Sequence, residues 1–130
     1  MKIEKIENKN ESVIPCAEKY RTALEALKDE MSLKQHRLLI GHARSLEQTA
    51  SLQELMDAAL CETIEEVERE YALLGRALAA YLEFIPPQGD LPERLNPIMS
   101  IATPISIIGG SFREWKLRPE IAQALHKAKL

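Results

Sequence analysis

The stretch 51–82, SLQELMDAALCETIEEVEREYALLGRALAAYL, constrains the fold more than any other part of the chain. It reads as a short helix, a tight break at Cys61-Glu62 and a longer helix, which is the outline of a helix-turn-helix. In the shorter run Leu52, Leu55, Met56 and Ala59 fall on one face. In the longer run Ile64, Val67, Tyr71, Leu74 and Leu78 do the same. Gly75 interrupts that second run at some cost to the helix, and suits a place where another backbone passes close.

Helix starts carry a repeated signature. Ser32 is followed three residues on by Gln35, Ser51 by Glu54, and Thr63 by Glu66. In such a capping box the hydroxyl accepts from an exposed backbone N–H while the longer side chain reaches back. Upstream, a helix over 15–30 has Pro15 in its first turn, where the missing N–H costs nothing. Tyr20, Ala23, Leu24, Leu27 and Met31 recur along it at spacings of three and four. The second helix, 32–44, directs Leu39, Ile40 and Ala43 toward a core, and a short polar linker over 45–50 follows.

The helical half ends at Pro86-Pro87, because tandem prolines cannot continue a helix. The segment up to Pro97 reads as loop. Residues 98–108 are rich in β-branched side chains, Gly109-Gly110 suits a two-residue hairpin turn, and 112–117 can return. Pro104 requires the first of these strands to be an edge strand, or to be bulged or broken there. Pro119 opens a last helix to about Lys127, with Ile121, Ala124 and Leu125 inward. The order helix, helix, helix-turn-helix, β-hairpin, helix predicts an α+β, mainly helical, winged-helix-like domain. The alternative is an all-α bundle with a long loop. Residues 1–11 alternate charges with single isoleucines and read as a flexible arm or a short edge strand, leaving 12–130 as one domain.

A chain of 130 residues can bury a core without disulfides or metal. Aromatics make up only 5%, so that core is built from Leu, Ile and Ala. The net charge of −3 gives no global attraction to nucleic acid or anionic membranes. Cys16 and Cys61 fit no metal or redox spacing and read as reduced, partly buried thiols. The first residues lack the apolar core of a signal peptide, and the longest apolar run, 98–108, is too short to span a bilayer. A cytoplasmic protein is the expectation.

Several stretches together carry a family resemblance: His42 within a helix, LQELMDAALCETIEEVEREYALLGRAL with its Tyr71 and Leu74-Gly75-Arg76, and WKLRPEIAQAL near the end. Across roughly 37–125 the chain resembles a small, uncharacterised bacterial winged-helix-like domain, some copies of which sit beside HNH-type nucleases. The resemblance implies a DNA-related or defence-related setting. The chain departs from the pattern at the turn, where Leu60-Cys61-Glu62 replaces a Gly-Tyr pair, and in the acidity of its second paired helix. No nuclease half is expected in these residues.

Two kinds of surface compete for the function. Between 51 and 82 the acids Glu54, Asp57, Glu62, Glu65, Glu66, Glu68 and Glu70 face only Arg69 and Arg76. A helix of that sign repels phosphates, so DNA contact is expected instead on Lys34, Arg37 and Arg44 of the second helix and Arg113, Lys116 and Arg118 of the returning strand. Otherwise these cations are solvated, or they pair with the acidic helix. The other surface is a negative ridge of Glu65, Glu66, Glu68 and Glu70, able to meet a basic protein partner; a solvated helix face explains the same acids.

Catalysis has little support. His36 and His42 are six apart and share no helical face, so no metal site is expected, and His42 near an apolar face suits a hydrogen-bonded core residue. No carboxylate pair suggests acid–base work, and no cofactor motif is present. Trp115 is expected to pin the hairpin to the helices. The expected role is a non-catalytic module touching DNA or regulating a DNA-acting protein, with an acidic protein-interaction or inhibitor module as the alternative. The strand 98–108 and the first helix are each open to a homodimer interface or to the core.

Overall fold

The computed structural model describes residues 14–88, 91–106 and 113–128, and within them hydroxyl caps set three of the five helix starts. Helix α1 is Ala17–Leu27, α2 Leu33–Arg44, α3 Leu52–Ala59, α4 Ile64–Leu82 and α5 Pro119–Lys127. Ser32 Oγ accepts from the Gln35 N–H at 3.0 Å and Ser51 Oγ from the Glu54 N–H at 3.1 Å, each completing a capping box. At the third start Thr63 Oγ1 accepts from the Glu66 N–H, but the Glu66 carboxylate reaches one residue further back, to the Glu62 N–H at 2.8 Å. Helix α1 is shorter than 15–30. Pro15 lies ahead of the extended cap residue Cys16, and the N–H groups of Glu30 and Met31 fold back onto the Leu27 carbonyl.

The polar linker after α2 holds an element its composition concealed. A 3₁₀ turn, Leu46–Gln48, places Glu47 and Gln48 at positive φ and leads into a three-residue strand β1, Thr49–Ser51. Strand β2 is Ala102–Ser106 and β3 is Arg113–Leu117, and the antiparallel sheet runs β1-β3-β2. Its register pairs Ala50 and Pro104 with Trp115 from either side, and Thr49 and Thr103 with Lys116. The Arg118 N–H donates to the Ile101 carbonyl at 2.9 Å, which makes Ala102↔Leu117 and Pro104↔Trp115 non-hydrogen-bonded pairs. Pro104 therefore sits on an edge strand with its ring nitrogen turned away from β3, where no donor is missed. The expected hairpin turn at Gly109-Gly110 lies outside the described residues.

The order α2, β1, α3, α4, β2, β3, with α1 and α5 at the ends, is an α+β, mainly helical, winged-helix-like arrangement. The all-helical alternative is excluded by the sheet. Strand β2 is shorter than the apolar run 98–108, because Ile98–Ser100 belong to a second 3₁₀ helix, Glu93–Ser100, laid along α4. That segment fits because α4 has no side chain at Gly75: a Cβ built there would lie 2.0 Å from the Pro97 carbonyl oxygen. Tyr20 on α1 donates its hydroxyl to the Ser100 carbonyl at 2.6 Å and meets Phe84 edge-on, tying α1 to the end of the second 3₁₀ helix and to the segment just after α4.

The apolar face of α1 is covered from within the chain, with Tyr20, Ala23 and Leu24 buried against the core. The same holds for Ile98, Ile101 and Ala102, while Ile105 stays partly exposed. On α2 the inward residues are Leu38, Leu39 and His42, with Ile40 and Ala43 only half-buried. Trp115 is buried at the centre of the sheet's inner face. Among the described residues no helix is long and apolar enough to cross a membrane.

Candidate nucleic-acid interface

The turn between α3 and α4 is built without glycine. Leu60 takes φ 59°, the Cys61 N–H donates to the Met56 carbonyl at 3.0 Å, and the Leu60 N–H donates to the Asp57 carbonyl at 3.4 Å. This pair of bonds closes the helix in a Schellman motif and leaves the Leu60 side chain exposed. Thr63 then restarts the chain as α4. Cys61 is buried in the turn, where burial pushes its thiol pKa up, whereas Cys16 is exposed.

What orients α4 against the sheet is a buried polar link. His42 of α2 is fully buried, with Nε2 2.7 Å from the Trp115 carbonyl and Nδ1 2.8 Å from the Tyr71 hydroxyl. A carbonyl only accepts, so Nε2 carries the proton and Nδ1 accepts from the tyrosine. One neutral imidazole thus joins α2, α4 and β3. Burial holds its pKa below the ordinary value, and the bond to Trp115 opposes that only in part.

The charges of α4 separate by face. Glu66 pairs with Lys34 of α2, a contact that with the Glu62 N–H lowers its pKa and raises that of Lys34. Glu70 accepts from the Ser32 hydroxyl at 3.0 Å, and its backbone carbonyl accepts from Gln35. Both glutamates therefore face the start of α2. Glu68 pairs with Arg94 of the second 3₁₀ helix at 3.0 Å. Glu65 is on the outward face, in a groove of about 230 Å³ whose lining includes Glu68, Arg69, Leu73, Arg76, Arg94 and Leu95. The four glutamates of the expected ridge thus divide into two sets, Glu66 and Glu70 toward α2 and Glu65 and Glu68 along the groove, where three arginines face two carboxylates.

The candidate DNA-contact residues also divide. Lys34 is engaged with Glu66. Arg118 donates through Nε to the Met99 carbonyl at 2.8 Å and is partly buried, with burial lowering its pKa. Lys116 is exposed on the outer face of the sheet, across from Thr49 and Thr103. Arg113 begins β3, and its side chain lies outside the description. Arg37 and Arg44 flank a separate groove between α2 and α3.

The expectation drawn from the sequence passed over Arg94 and set Arg69 and Arg76 aside as outnumbered. Their seven-residue spacing was the available signal, since it puts both on one helical face. Among the described residues no three His, Cys, Asp or Glu side chains converge as metal ligands. No family model, curated protein or solved structure matches this chain.

Proposed function

We propose that this protein is a non-catalytic winged-helix-like module that contacts duplex DNA through the outward face of α4, with Lys116 of β3 as a further cationic contact, in a DNA-related or defence-related process. The observation that carries the reading is the sorting of charge on α4. Glu66 and Glu70 are turned toward α2, while on the outward face Arg69 and Arg76, two turns apart, stand with Arg94 against Glu65 and Glu68. A helix-turn-helix presents the exposed side chains of its second helix to the groove, and arginine suits both phosphate and guanine edges. The Schellman turn and the His42 link fix the direction of α4 before any ligand arrives, so little ordering is required on binding.

Binding of the purified protein to mixed-sequence duplex across a salt series, with the mass in solution recorded alongside, tests this. Affinity should fall steeply with salt, and Arg69→Ala with Arg76→Ala should reduce the salt slope by about 2, one per lost phosphate contact. No binding at low salt would defeat the reading. Binding that ignores these two arginines would move the contact off α4.

A further inference from the structure

The groove between α2 and α3 has a composition that DNA does not require. Its volume is about 330 Å³, and it is lined by His36, Arg37, Ile40, Gly41, Arg44 and Ala58, with no carboxylate among them. It exists because the two helices touch at small residues. A Cβ on Gly41 would lie 2.6 Å from Cβ of Ala58, so no side chain fills the crossing. Arg37 lies about one turn before Gly41 and Arg44 about one turn after it, so the guanidiniums rim a recess floored by Ile40 and the Ala58 methyl. Leu33, 62% exposed, extends the same helical face by a further turn. His36 is held in place by its Nε2 contact of 3.2 Å with the Lys28 carbonyl. Among the described residues neither Arg37 nor Arg44 makes an ion pair, whereas Arg21, Lys34 and Arg94 each do.

We infer that this groove docks an acidic amphipathic helix of a partner protein. An apolar side chain of the partner enters the recess over Ile40 and Gly41, and carboxylates one turn to either side take the paired N–H donors of Arg37 and Arg44. Charge complementarity selects this occupant: a cationic rim without carboxylates attracts an anionic partner. The alternating Leu33, Arg37, Ile40, Arg44 pattern adds apolar surface that a phosphate backbone would leave wet. The partner-binding surface is thus basic, opposite in sign to the glutamate ridge expected from the sequence. It lies on α2 and α3, so it operates whether or not α4 contacts DNA.

The test is selection of a displayed library of helix-forming 16-residue peptides on the intact protein, with the winners then titrated against the double variant Arg37→Glu, Arg44→Glu. Both positions are on the surface, and a circular dichroism melt confirms that the variant folds. Retained peptides should carry Glu or Asp flanking Leu, Ile or Phe at helical spacing. A synthesised winner should lose at least about tenfold in affinity to the double variant, whose carboxylates repel it, and a few-fold to Leu33→Ser, which removes apolar contact. Retention of no such sequences, or equal binding to the variant, overturns the inference. So does displacement of the peptide by mixed-sequence duplex whose own affinity falls with the double variant, which would assign the groove to phosphate.

Discussion

Replacing Gly75 by alanine tests whether α4 and the 3₁₀ helix Glu93–Ser100 are seated as tightly as the coordinates require. On propensity alone the change should help, since alanine is favoured over glycine by about 1 kcal/mol inside a helix. The added Cβ, however, would lie 2.0 Å from the Pro97 oxygen and 2.7 Å from its carbonyl carbon. Relief needs a separation of roughly 1 Å to reach a tolerable contact, and no rotamer change can supply it because the obstacle is backbone. The 3₁₀ segment cannot simply lift away, since the Tyr20 hydroxyl holds its Ser100 carbonyl and Leu95, Ile98 and Met99 are buried beneath it. Overpacking of this kind costs about 1–3 kcal/mol, occasionally more, and rigid surroundings place this site at or beyond the upper end. After the propensity gain, a net loss of about 2 kcal/mol remains, a fall of roughly 8 °C in Tm for a domain of this size. Urea and thermal unfolding of Gly75→Ala measure it, with Ala77→Gly as the control: that exposed site on the same helix should lose only about 1 kcal/mol. A Gly75→Ala protein as stable as the parent would refute the close approach and, with it, the placement of Arg94 beside α4.

The crossing of α2 and α3 makes the second prediction. Gly41→Ala should destabilise by about 1–3 kcal/mol, because the new methyl meets Ala58 at 2.6 Å, and adding Ala58→Gly should restore at least about 1 kcal/mol of it in a double-mutant cycle. Strict additivity would refute the contact. The third concerns His42, whose pKa burial depresses in the fold. The unfolded chain then takes up the proton first, so the stability His42 contributes is complete above its unfolded pKa of about 6.5 and is lost as pH falls toward the folded value. Urea midpoints should decline between about pH 7 and pH 5, ahead of carboxylate protonation; a flat profile over that window would show that the imidazole is not held neutral.

The parts of the fold legible in the sequence are those set by local chemistry. Ser32 and Ser51 marked their helices because a hydroxyl and a long acceptor three residues on have one common use. Gly75 suggested a close backbone, and Pro104 an edge strand, because each residue's defect can be accommodated in few places. The strand Thr49–Ser51 was not legible: three residues with only Ala50 buried have no periodicity, and only pairing with β3 defines them. Ile98–Ser100 misled for the converse reason. The β-branched Ile98 and the apolar Met99 suit a buried 3₁₀ turn as well as a strand, and the packing on α4 decides between them. The distribution of charge around α4 was less legible than the fold, because a sum along the helix does not show that Glu66 and Glu70 turn to α2 while Glu65 and Glu68 share a groove with Arg69, Arg76 and Arg94.

That distinction yields a prediction about which glutamate opposes DNA. Along a helix with six charged residues from Glu65 to Arg76, the potential a duplex meets depends on which side chains face it. Glu66 is drawn toward Lys34 and Glu70 toward Ser32, each on the α2 side. A partly exposed pair such as Lys34–Glu66 adds little stability, about 0–1 kcal/mol at most, so its main consequence is to turn a negative charge away from the outward face. Glu65 lines the same groove as Arg69 and Arg76. Neutralising it should therefore strengthen duplex binding, by about twofold if a phosphate comes within roughly 8 Å in water-like dielectric. Glu66→Gln should strengthen it less, because that carboxylate is turned toward Lys34 on the α2 side and reaches the duplex face only through its neighbour Arg69. Binding titrations of Glu65→Gln and Glu66→Gln at two salt concentrations separate the cases. If both variants gained equally, the duplex would be responding to the helix's total charge, and the face-by-face assignment of α4 would fail.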